Sequence, residues 1–353
     1  MSNFNHQKTH RDQIWTYINK MKSISSTINK LIAEKDFTPI VPDYHSSNQQ
    51  EFTYKQYGMP VRWKKGNTII SLRFEDSLFL LDPDAWTRPK PSVIISDNVL
   101  LKPIQGTEIN TFPEHAHVYY TNFAYEKREP TWDYNCFMNR ISGDRSIVFY
   151  ELIRRKLLDK GLVSFNCYVP GNNEYKNDKT DYTKENYKWQ YESADLVRYS
   201  AEHEQGYNII PYNNIEPAGL GLEQCIIDSR VSLILETYIS DDHIVFSEKI
   251  FRTMQLPRPW ILYSSPGAVN LLKSYGFDVL DDYVDHSYDS IEMHWDRLDA
   301  ILDQLETFSN RRYTEQDYIK FETAASNNQK LLLQFEKEWP AKFNTILEEI
   351  NQL

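Results

Sequence analysis

The sequence predicts an α/β fold with two domains. The chain has 353 residues, which is more than one average domain needs and enough for two. Beyond about residue 130, short apolar runs with strand character alternate with segments of helical period. The clearest are strands at Trp132–Met138, Val231–Leu235 and Trp260–Tyr263, and a helix at Ser146–Lys160 that Gly161 ends. Elements that alternate at this spacing form βαβ units around a parallel sheet, so we expect a Rossmann-like domain here.

The first third of the chain has a different pattern. Residues 11–34 carry apolar side chains at steps of three and four, which predicts an amphipathic helix. From residue 37 to residue 125, short apolar runs are split by prolines and other turn residues. The strand candidates are Thr68–Leu72, Ser77–Leu81, Val93–Ile95 and His117–Tyr120. This part is either a strand-rich α/β domain or an irregular one, and we interpret it as a second Rossmann-like domain.

These patterns divide the chain into three segments. We predict an N-terminal domain at 1–130, a C-terminal domain at 131–305 and a helical C-terminal extension at 306–353. Within the second domain, residues 171–206 are polar and rich in tyrosine, with no visible period. We predict a long inserted loop there.

Composition excludes several classes of protein. The net charge of -11 counts against a protein that grips nucleic acid along a long footprint. Three widely spaced cysteines, Cys136, Cys167 and Cys225, argue against a disulfide scaffold and against a cysteine-based zinc site. The polar N-terminus lacks the apolar core of a signal peptide, and no run approaches the roughly 18 apolar residues of a membrane span. We therefore expect a cytoplasmic protein without a membrane partner.

The segment Ser247-Glu248-Lys249 has the residues of a nucleotide site. Ser247 suits a helix N-cap, which leaves Glu248 and Lys249 in the first turn. A helix start has unpaired N–H groups and a partial positive charge, both of which favour phosphate. Lys249 adds a full charge, whereas Glu248 suits the hydroxyls of a ribose. By itself, the segment would also fit an ordinary capped helix with surface charges.

Two further segments strengthen this interpretation. Ser265, followed by Pro266, predicts a second helix start, directly after the strand Trp260–Tyr263. Gly276 predicts the end of that helix, and Val279–Leu280 predicts a short strand after it. Such a start lies at the carboxyl edge of a parallel sheet, where α/β proteins bind ligands. Arg140 and Arg145 follow the first predicted strand of the C-terminal domain, and their guanidinium groups could clamp a diphosphate.

The ordered motifs of the C-terminal half resemble those of a known class of enzymes. The run Val245–Arg252, with the strand that follows, resembles the donor-site motif of α1,3-fucosyltransferase-like enzymes. The full set is similar to glycosyltransferases encoded by large bacteriophages. In chain order it comprises Asn139-Arg140 with Arg145, Glu236-Thr237, Ser247-Glu248-Lys249, Gly276-Phe277 and Asp285 to Asp289. The resemblance covers roughly residues 132–305.

This resemblance implies a glycosyltransferase of the GT-B type, built from two Rossmann-like domains. The C-terminal domain would bind a nucleotide-sugar donor, and the N-terminal domain would bind the acceptor. Glu248 would then contact the ribose, while Lys249 and Arg145 would hold the diphosphate without an obligate metal. The implied donor-binding set is Asn139, Arg140, Arg145, Glu236, Ser247, Glu248, Lys249 and Ser265. A phage-encoded enzyme would act in the host cytoplasm.

The N-terminal half should supply a general base if the enzyme inverts configuration. Residues 111–117 form the segment there that concentrates one carboxylate and two imidazoles, at Glu114, His115 and His117. Any of these groups could take the proton of an acceptor hydroxyl, and Glu114 and His117 are our candidates. The acceptor itself stays open between a hydroxymethylated base in phage DNA, a glycan, a protein and a small molecule.

Two alternatives compete with this interpretation. Asp82 and Asp84 follow an apolar run, and such an Asp-x-Asp pair holds the divalent metal of GT-A glycosyltransferases. Asp-Pro-Asp is also a frequent turn sequence. The other alternative is a non-catalytic interaction protein on a degenerate transferase fold, which would bind no nucleotide sugar.

Overall fold

The structure is a computed structural model and describes about half of the chain in two long stretches and several short ones. The described residues are 30–39, 62–73, 93–96, 99–100, 108–111, 125–138, 143–165, 222–236, 239, 243–350 and 352. Residues 30–33 are helical; the remainder of the helix predicted at 11–34, the strands predicted at Ser77–Leu81 and His117–Tyr120, and the loop predicted at 171–206 lie outside these residues.

The described residues form eleven strands and, beyond the helical residues 30–33, six α-helices, numbered here in chain order. The strands are β1 (Thr38–Pro39), β2 (Arg62–Lys65), β3 (Thr68–Arg73), β4 (Val93–Ser96), β5 (Val99–Leu100), β6 (Glu108–Thr111), β7 (Trp132–Met138), β8 (Gly161–Phe165), β9 (Ser229–Leu235), β10 (His243–Ile244) and β11 (Trp260–Tyr263). The helices are α1 (Gly143–Arg154), α2 (Leu222–Ile227), α3 (Glu248–Thr253), α4 (Ala268–Ser274), α5 (His294–Glu306) and α6 (Glu315–Ile350). None of these helices is long and apolar enough to cross a membrane.

The chain divides into two compact units. The first unit comprises residues 1–121, 240–252 and 328–353, and the second unit comprises residues 122–239 and 253–327. The domain boundaries proposed from sequence, at residues 130 and 305, remain a prediction.

The first unit contains a mixed sheet in the order β1-β2-β3-β4-β6. β1, β2 and β3 pair antiparallel, while β3, β4 and β6 pair parallel. The short strands β5 and β10 form a separate antiparallel pair. β3 and β4 confirm the strands predicted at Thr68–Leu72 and Val93–Ile95.

The second unit contains a fully parallel sheet in the order β11-β9-β7-β8. Of its two central strands, β9 is buried at six of seven positions and β7 at four of seven, with Cys136 and Met138 of β7 and Val231 of β9 all at 0% exposure. β7 and β11 match their predicted bounds, and β9 begins two residues before the predicted strand. The α/β prediction with a parallel sheet is therefore confirmed for this unit.

The helix predicted at Ser146–Lys160 ends earlier than its sequence suggests. α1 stops at Arg154, and Lys156 takes the left-handed conformation with φ 57°. The Leu157 amide then donates to Leu152 O at 2.8 Å, which closes the helix end. The prediction was wrong because this end uses a lysine where glycine is usual, and the chain then makes one 3-10 turn before β8.

Two predictions after β11 are also wrong. α4 begins at Ala268 rather than at Pro266, because Gly267 occupies the N-cap with φ 81°. The strand predicted at Val279–Leu280 does not form, since Leu280 is left-handed at φ 59°. The predicted helix stop is confirmed at Gly276, where φ is 92°.

Candidate functional site

The parallel sheet of the second unit has a topological switch point between its two central strands. From β7 the chain passes through α1 to β8 on one side of β7, whereas β9 lies on the other side. The connections after β7 and β9 therefore leave the sheet in opposite directions. In open α/β sheets, ligands bind in the crevice at the carboxyl ends of the two strands that flank such a point.

Arg145 lies in the first turn of α1, the helix that follows β7. Its side chain is 6% exposed. Its positive charge lowers the pKa of two neighbouring groups, Cys136 of β7 and Asp144, although burial raises both pKa values by more. Arg145 is thus a buried cation close to the carboxyl half of β7.

Glu236 follows the last residue of β9 directly. Its amide donates to Tyr263 O at 3.0 Å, which continues the pairing of β9 with β11 by one residue. Its side chain is 1% exposed, so a carboxylate is buried at the carboxyl edge beside the switch point. Carboxylates at this depth are rare and need polar partners, because burial of a charge is costly.

The second predicted helix start, at Ser265, has its first-turn amides occupied. Val269 N and Asn270 N each donate at 3.0 Å to the Asp289 carboxylate, and Gly267 N donates at 2.8 Å to the Asp289 carbonyl. These amides are therefore not available to a phosphate, contrary to the reason that first suggested this segment. Ser265 remains a candidate through its hydroxyl, in a side chain 1% exposed after β11.

The sequence did not indicate two further groups near this edge, Asp144 and His294. Tyr263, the last residue of β11, donates from Oη to His294 O at 3.3 Å, which fixes the start of α5 over the carboxyl edge. Burial raises the pKa of Asp144, and the charges of His294 and Arg145 lower it in part. Asp144 could have been noticed in the sequence as the acidic residue directly before Arg145. No pattern indicated His294, which lies 150 residues after Asp144.

The segment Ser247-Glu248-Lys249 belongs to the first unit. Ser247 has no exposed surface, and α3 begins at Glu248 as predicted. Lys249 Nζ donates to Ser247 Oγ at 2.8 Å, and the Lys249 amide approaches the same oxygen at 3.4 Å. The Ser247 hydroxyl therefore caps the helix and holds the lysine ammonium beside the first turn.

Several predicted site residues lie outside the described residues. They are the base candidates Glu114, His115 and His117, the donor-site candidates Asn139 and Arg140, and the metal-ligand candidates Asp82 and Asp84. Within the described ranges, no group of three or more His, Cys, Asp or Glu side chains is arranged to hold a metal ion.

Comparison with known proteins gives a faint likeness to one kind of enzyme. No family model matches the chain, and no curated protein matches it in sequence. Two solved structures resemble it. One is the DNA modifying enzyme β-glucosyltransferase, solved with and without uridine diphosphoglucose, at 11% identity and a TM-score of 0.35 over 80% of this chain and 74% of that one. The other is a mutant of T4 phage BGT with UDP-glucose, at 12% identity and a TM-score of 0.30 over 78% of this chain and 66% of that one. TM-scores below 0.5 do not establish a common fold or function.

Proposed function

We propose that the protein is a glycosyltransferase that moves a sugar from a nucleotide-sugar donor to an acceptor hydroxyl. The observation that carries this proposal is the pair Arg145 and Glu236, a buried cation and a buried carboxylate that follow the two strands flanking the switch point. This is where α/β folds bind nucleotides, and the two side chains have the chemistry that a nucleotide sugar requires.

The two side chains would divide the work. The Arg145 guanidinium would donate to the diphosphate, and its charge would stabilise the nucleoside diphosphate as the glycosidic bond breaks. The Glu236 carboxylate would accept hydrogen bonds from hydroxyls of the ribose or of the transferred sugar. The Ser265 hydroxyl would add a neutral donor at the end of β11. In this scheme Arg145 would need no divalent metal, because its own positive charge would stabilise the negative charge that develops on the diphosphate.

The motif order in the sequence supports glycosyl transfer over other nucleotide chemistry. Asn139, Arg140, Ser247, Glu248 and Lys249 are the remaining donor-binding candidates, and GT-B is the fold type that we propose. The Lys249 ammonium already bonds a hydroxyl oxygen of Ser247, so it has a neutral partner that a diphosphate oxygen could replace. Glu114 and His117 are the proposed sources of the general base.

The two solved neighbours suggest which substrates to try first. One is a DNA modifying enzyme with uridine diphosphoglucose as its substrate, and the other was solved with UDP-glucose. We therefore propose UDP-glucose as the first donor and hydroxymethylated bases in DNA as the first acceptor, with a glycan or a protein as the other classes. A role in phage DNA modification in the host cytoplasm follows if that acceptor is correct.

The proposal is tested by product release. The protein is incubated with each of a panel of nucleotide sugars and with duplex DNA that contains either hydroxymethylcytosine or cytosine, and the released nucleoside diphosphate is measured with and without EDTA. We expect release that depends on one donor and on the hydroxymethyl group and that survives EDTA. Release lost in EDTA and restored by manganese would favour the metal-dependent alternative through Asp82 and Asp84. No binding of any nucleotide sugar would favour the non-catalytic interaction protein.

A further inference from the structure

A cavity lies in the second unit, at the opposite edge of the parallel sheet from the proposed donor site. Its volume is about 380 Å³. Glu129, Ile227 and Arg258, which line it, lie just before β7, β9 and β11 respectively. The amino ends of parallel strands share one edge, so the cavity lies at the amino edge of the sheet. The proposed transferase chemistry does not use it.

The facing wall of the cavity is one stripe of α6. Glu315, Tyr318, Ile319 and Glu322 line it, and their spacing of three, four and seven residues puts them on one face of the first two helical turns. Ile319 is 49% exposed at this wall. Together with Tyr125, Ile227 and Pro257 it gives the cavity a substantially apolar lining.

Arg258 brings a buried positive charge to the cavity. The residue is 3% exposed. Its Nε, Nη1 and Nη2 atoms donate to the carbonyls of Ile227, Pro257 and Arg128 at 3.0, 2.9 and 3.0 Å, and its guanidinium packs on the Tyr318 ring at 5.1 Å. These three bonds use three of the five N–H groups of a guanidinium.

The charge of Arg258 has no direct counterion in the described part of the chain. No carboxylate oxygen among those residues lies within ion-pair distance, and the bonds to three carbonyls leave the full positive charge in place. A buried charge without a counterion is costly. Burial accordingly lowers the pKa of Arg258, although the more distant charges of Glu129 and Asp228 act in the opposite direction.

The other charged groups around the cavity do not replace that counterion. Lys127 pairs with Glu322, and Arg128 pairs with Asp228 through Nη2 and Oδ2 at 2.6 Å. Glu129 and Glu315 are exposed to solvent, which screens their charges strongly. The buried Arg258 therefore provides the charge inside the cavity that solvent screens least.

We infer that this cavity binds a small monocarboxylate with an apolar body. The carboxylate would accept hydrogen bonds from the N–H groups of Arg258 that remain, and the apolar body would lie against Ile227, Pro257 and Ile319. A monoanion fits better than a phosphate dianion because the buried Arg258 guanidinium supplies a single positive charge. The volume admits a ligand of the size of an aromatic acid, and the apolar lining would exclude short, strongly hydrated acids such as acetate.

Phenylacetate is the probe that tests this site, with phenylacetamide as its neutral counterpart of the same shape. Binding is measured by isothermal titration and by the rise in melting temperature, at constant ionic strength. Ile319→Trp fills the mouth of the cavity and leaves Arg258 intact; Gln316→Trp, on an exposed position of the same helix outside the lining, is the matched control. Arg258→Met removes the charge itself.

We expect phenylacetate to bind saturably to the unmodified protein and to Gln316→Trp, and phenylacetamide not to bind. Ile319→Trp and Arg258→Met should each weaken phenylacetate binding by about tenfold or more, because one blocks the cavity and the other removes the counterion. No saturable phenylacetate binding, equal binding of the amide, or unchanged binding to a folded Ile319→Trp protein would each overturn the inference. If Arg258→Met fails to fold, the Ile319→Trp comparison decides. UDP binding at the carboxyl edge should be unchanged by Ile319→Trp, so this site and the donor site are judged separately.

Discussion

The Asp289 carboxylate accepts a hydrogen bond at 3.0 Å from the backbone amide of Val269, in the first turn of α4. The same carboxylate accepts a second bond from Asn270 N, and the residue is 3% exposed. At this helix start the Asp289 carboxylate thus accepts the amide hydrogen bonds that the sequence led us to expect a bound phosphate to accept. The negative charge also suits the partial positive charge of the helix end.

Replacement of Asp289 should therefore destabilise the second unit. We expect Asp289→Ala to lower the free energy of unfolding by about 2 kcal/mol, because the buried amide of Val269 and the part-buried amide of Asn270 lose their acceptor. Asp285→Ala is the control, since Asp285 accepts one bond, from Ser287 N at 2.9 Å, at an exposed position and should cost about 0.5–1 kcal/mol. Urea unfolding of the two variants measures both values. Equal costs would show that burial at Asp289 adds nothing.

His286 should make stability depend on pH. Its Nε2 donates to Val279 O at 2.9 Å, and its Nδ1 accepts from the Tyr288 hydroxyl at 2.9 Å, so the neutral ring is fully bonded. Burial is the main cause that lowers its pKa from 6.5. As the pH falls past about 6.5, His286 becomes protonated in the unfolded chain but stays neutral in the folded protein. The stability that His286 contributes is therefore complete above its unfolded pKa and is lost as the pH falls below it.

The measurement is the free energy of unfolding between pH 7.5 and pH 5, as compared with His286→Gln. The unmodified protein should lose up to about 1.4 kcal/mol more per pH unit than the variant in the lower part of this range. The acidic groups that both proteins share cancel in the difference. Parallel pH profiles would show that His286 takes up its proton as readily in the folded protein as in the unfolded chain.

Gly161 should not tolerate a side chain. A Cβ at this position would lie within 2.7 Å of the Tyr134 ring, whose hydroxyl donates to Leu157 O at 3.2 Å and is held in place. φ at Gly161 is -121°, which any residue adopts, so the cost is steric. We expect Gly161→Ala to lower stability by about 2 kcal/mol. Added to a Tyr134→Leu protein, the same change should cost much less, because the clash is gone. Additive costs in a double-mutant cycle would exclude the clash as the cause.

The donor site should respond differently to its two buried charges. Arg145→Gln should weaken binding of a nucleoside diphosphate by about tenfold or more, because it removes a charge-assisted contact to phosphate. Glu236→Gln should leave the affinity for the diphosphate itself largely intact and reduce the preference for the complete nucleotide sugar over the free diphosphate. Lys249→Ala tests the first unit in the same assay and should lower donor affinity as well. Melting curves show whether each variant is folded, since both Arg145 and Glu236 are buried. Undiminished binding to a folded Arg145→Gln protein would remove Arg145 from the site.

The sequence allowed the parallel sheet to be predicted well. β11 is a continuous apolar run, and apolar residues predominate in β7 and β9; burial on both faces of a parallel sheet favours such strands. Arg145 was a candidate because it lies between a predicted strand and a predicted helix start, and Glu236 was a candidate because it belongs to the ordered motifs that resemble glycosyltransferases. Predictions from neighbouring residues were wrong where contacts between distant residues determine the backbone conformation. The Asp289 carboxylate reaches α4 from 20 residues away, and Lys156 and Leu280 take left-handed conformations that favour glycine. Nothing in the sequence around Arg258 indicated that it would lie, buried, beside a stripe of α6.

The central claim is that the second unit binds a nucleotide-sugar donor at the carboxyl edge of its parallel sheet, and nucleotide-dependent melting temperature tests it most directly. The protein is heated with each of a panel of nucleoside diphosphates and nucleotide sugars, with and without EDTA, alongside Arg145→Gln. We predict a rise specific to one nucleotide that survives EDTA and is reduced in the variant, because a ligand that binds the folded state stabilises it. No rise with any member of the panel, or a rise that Arg145→Gln leaves unchanged, would contradict the claim.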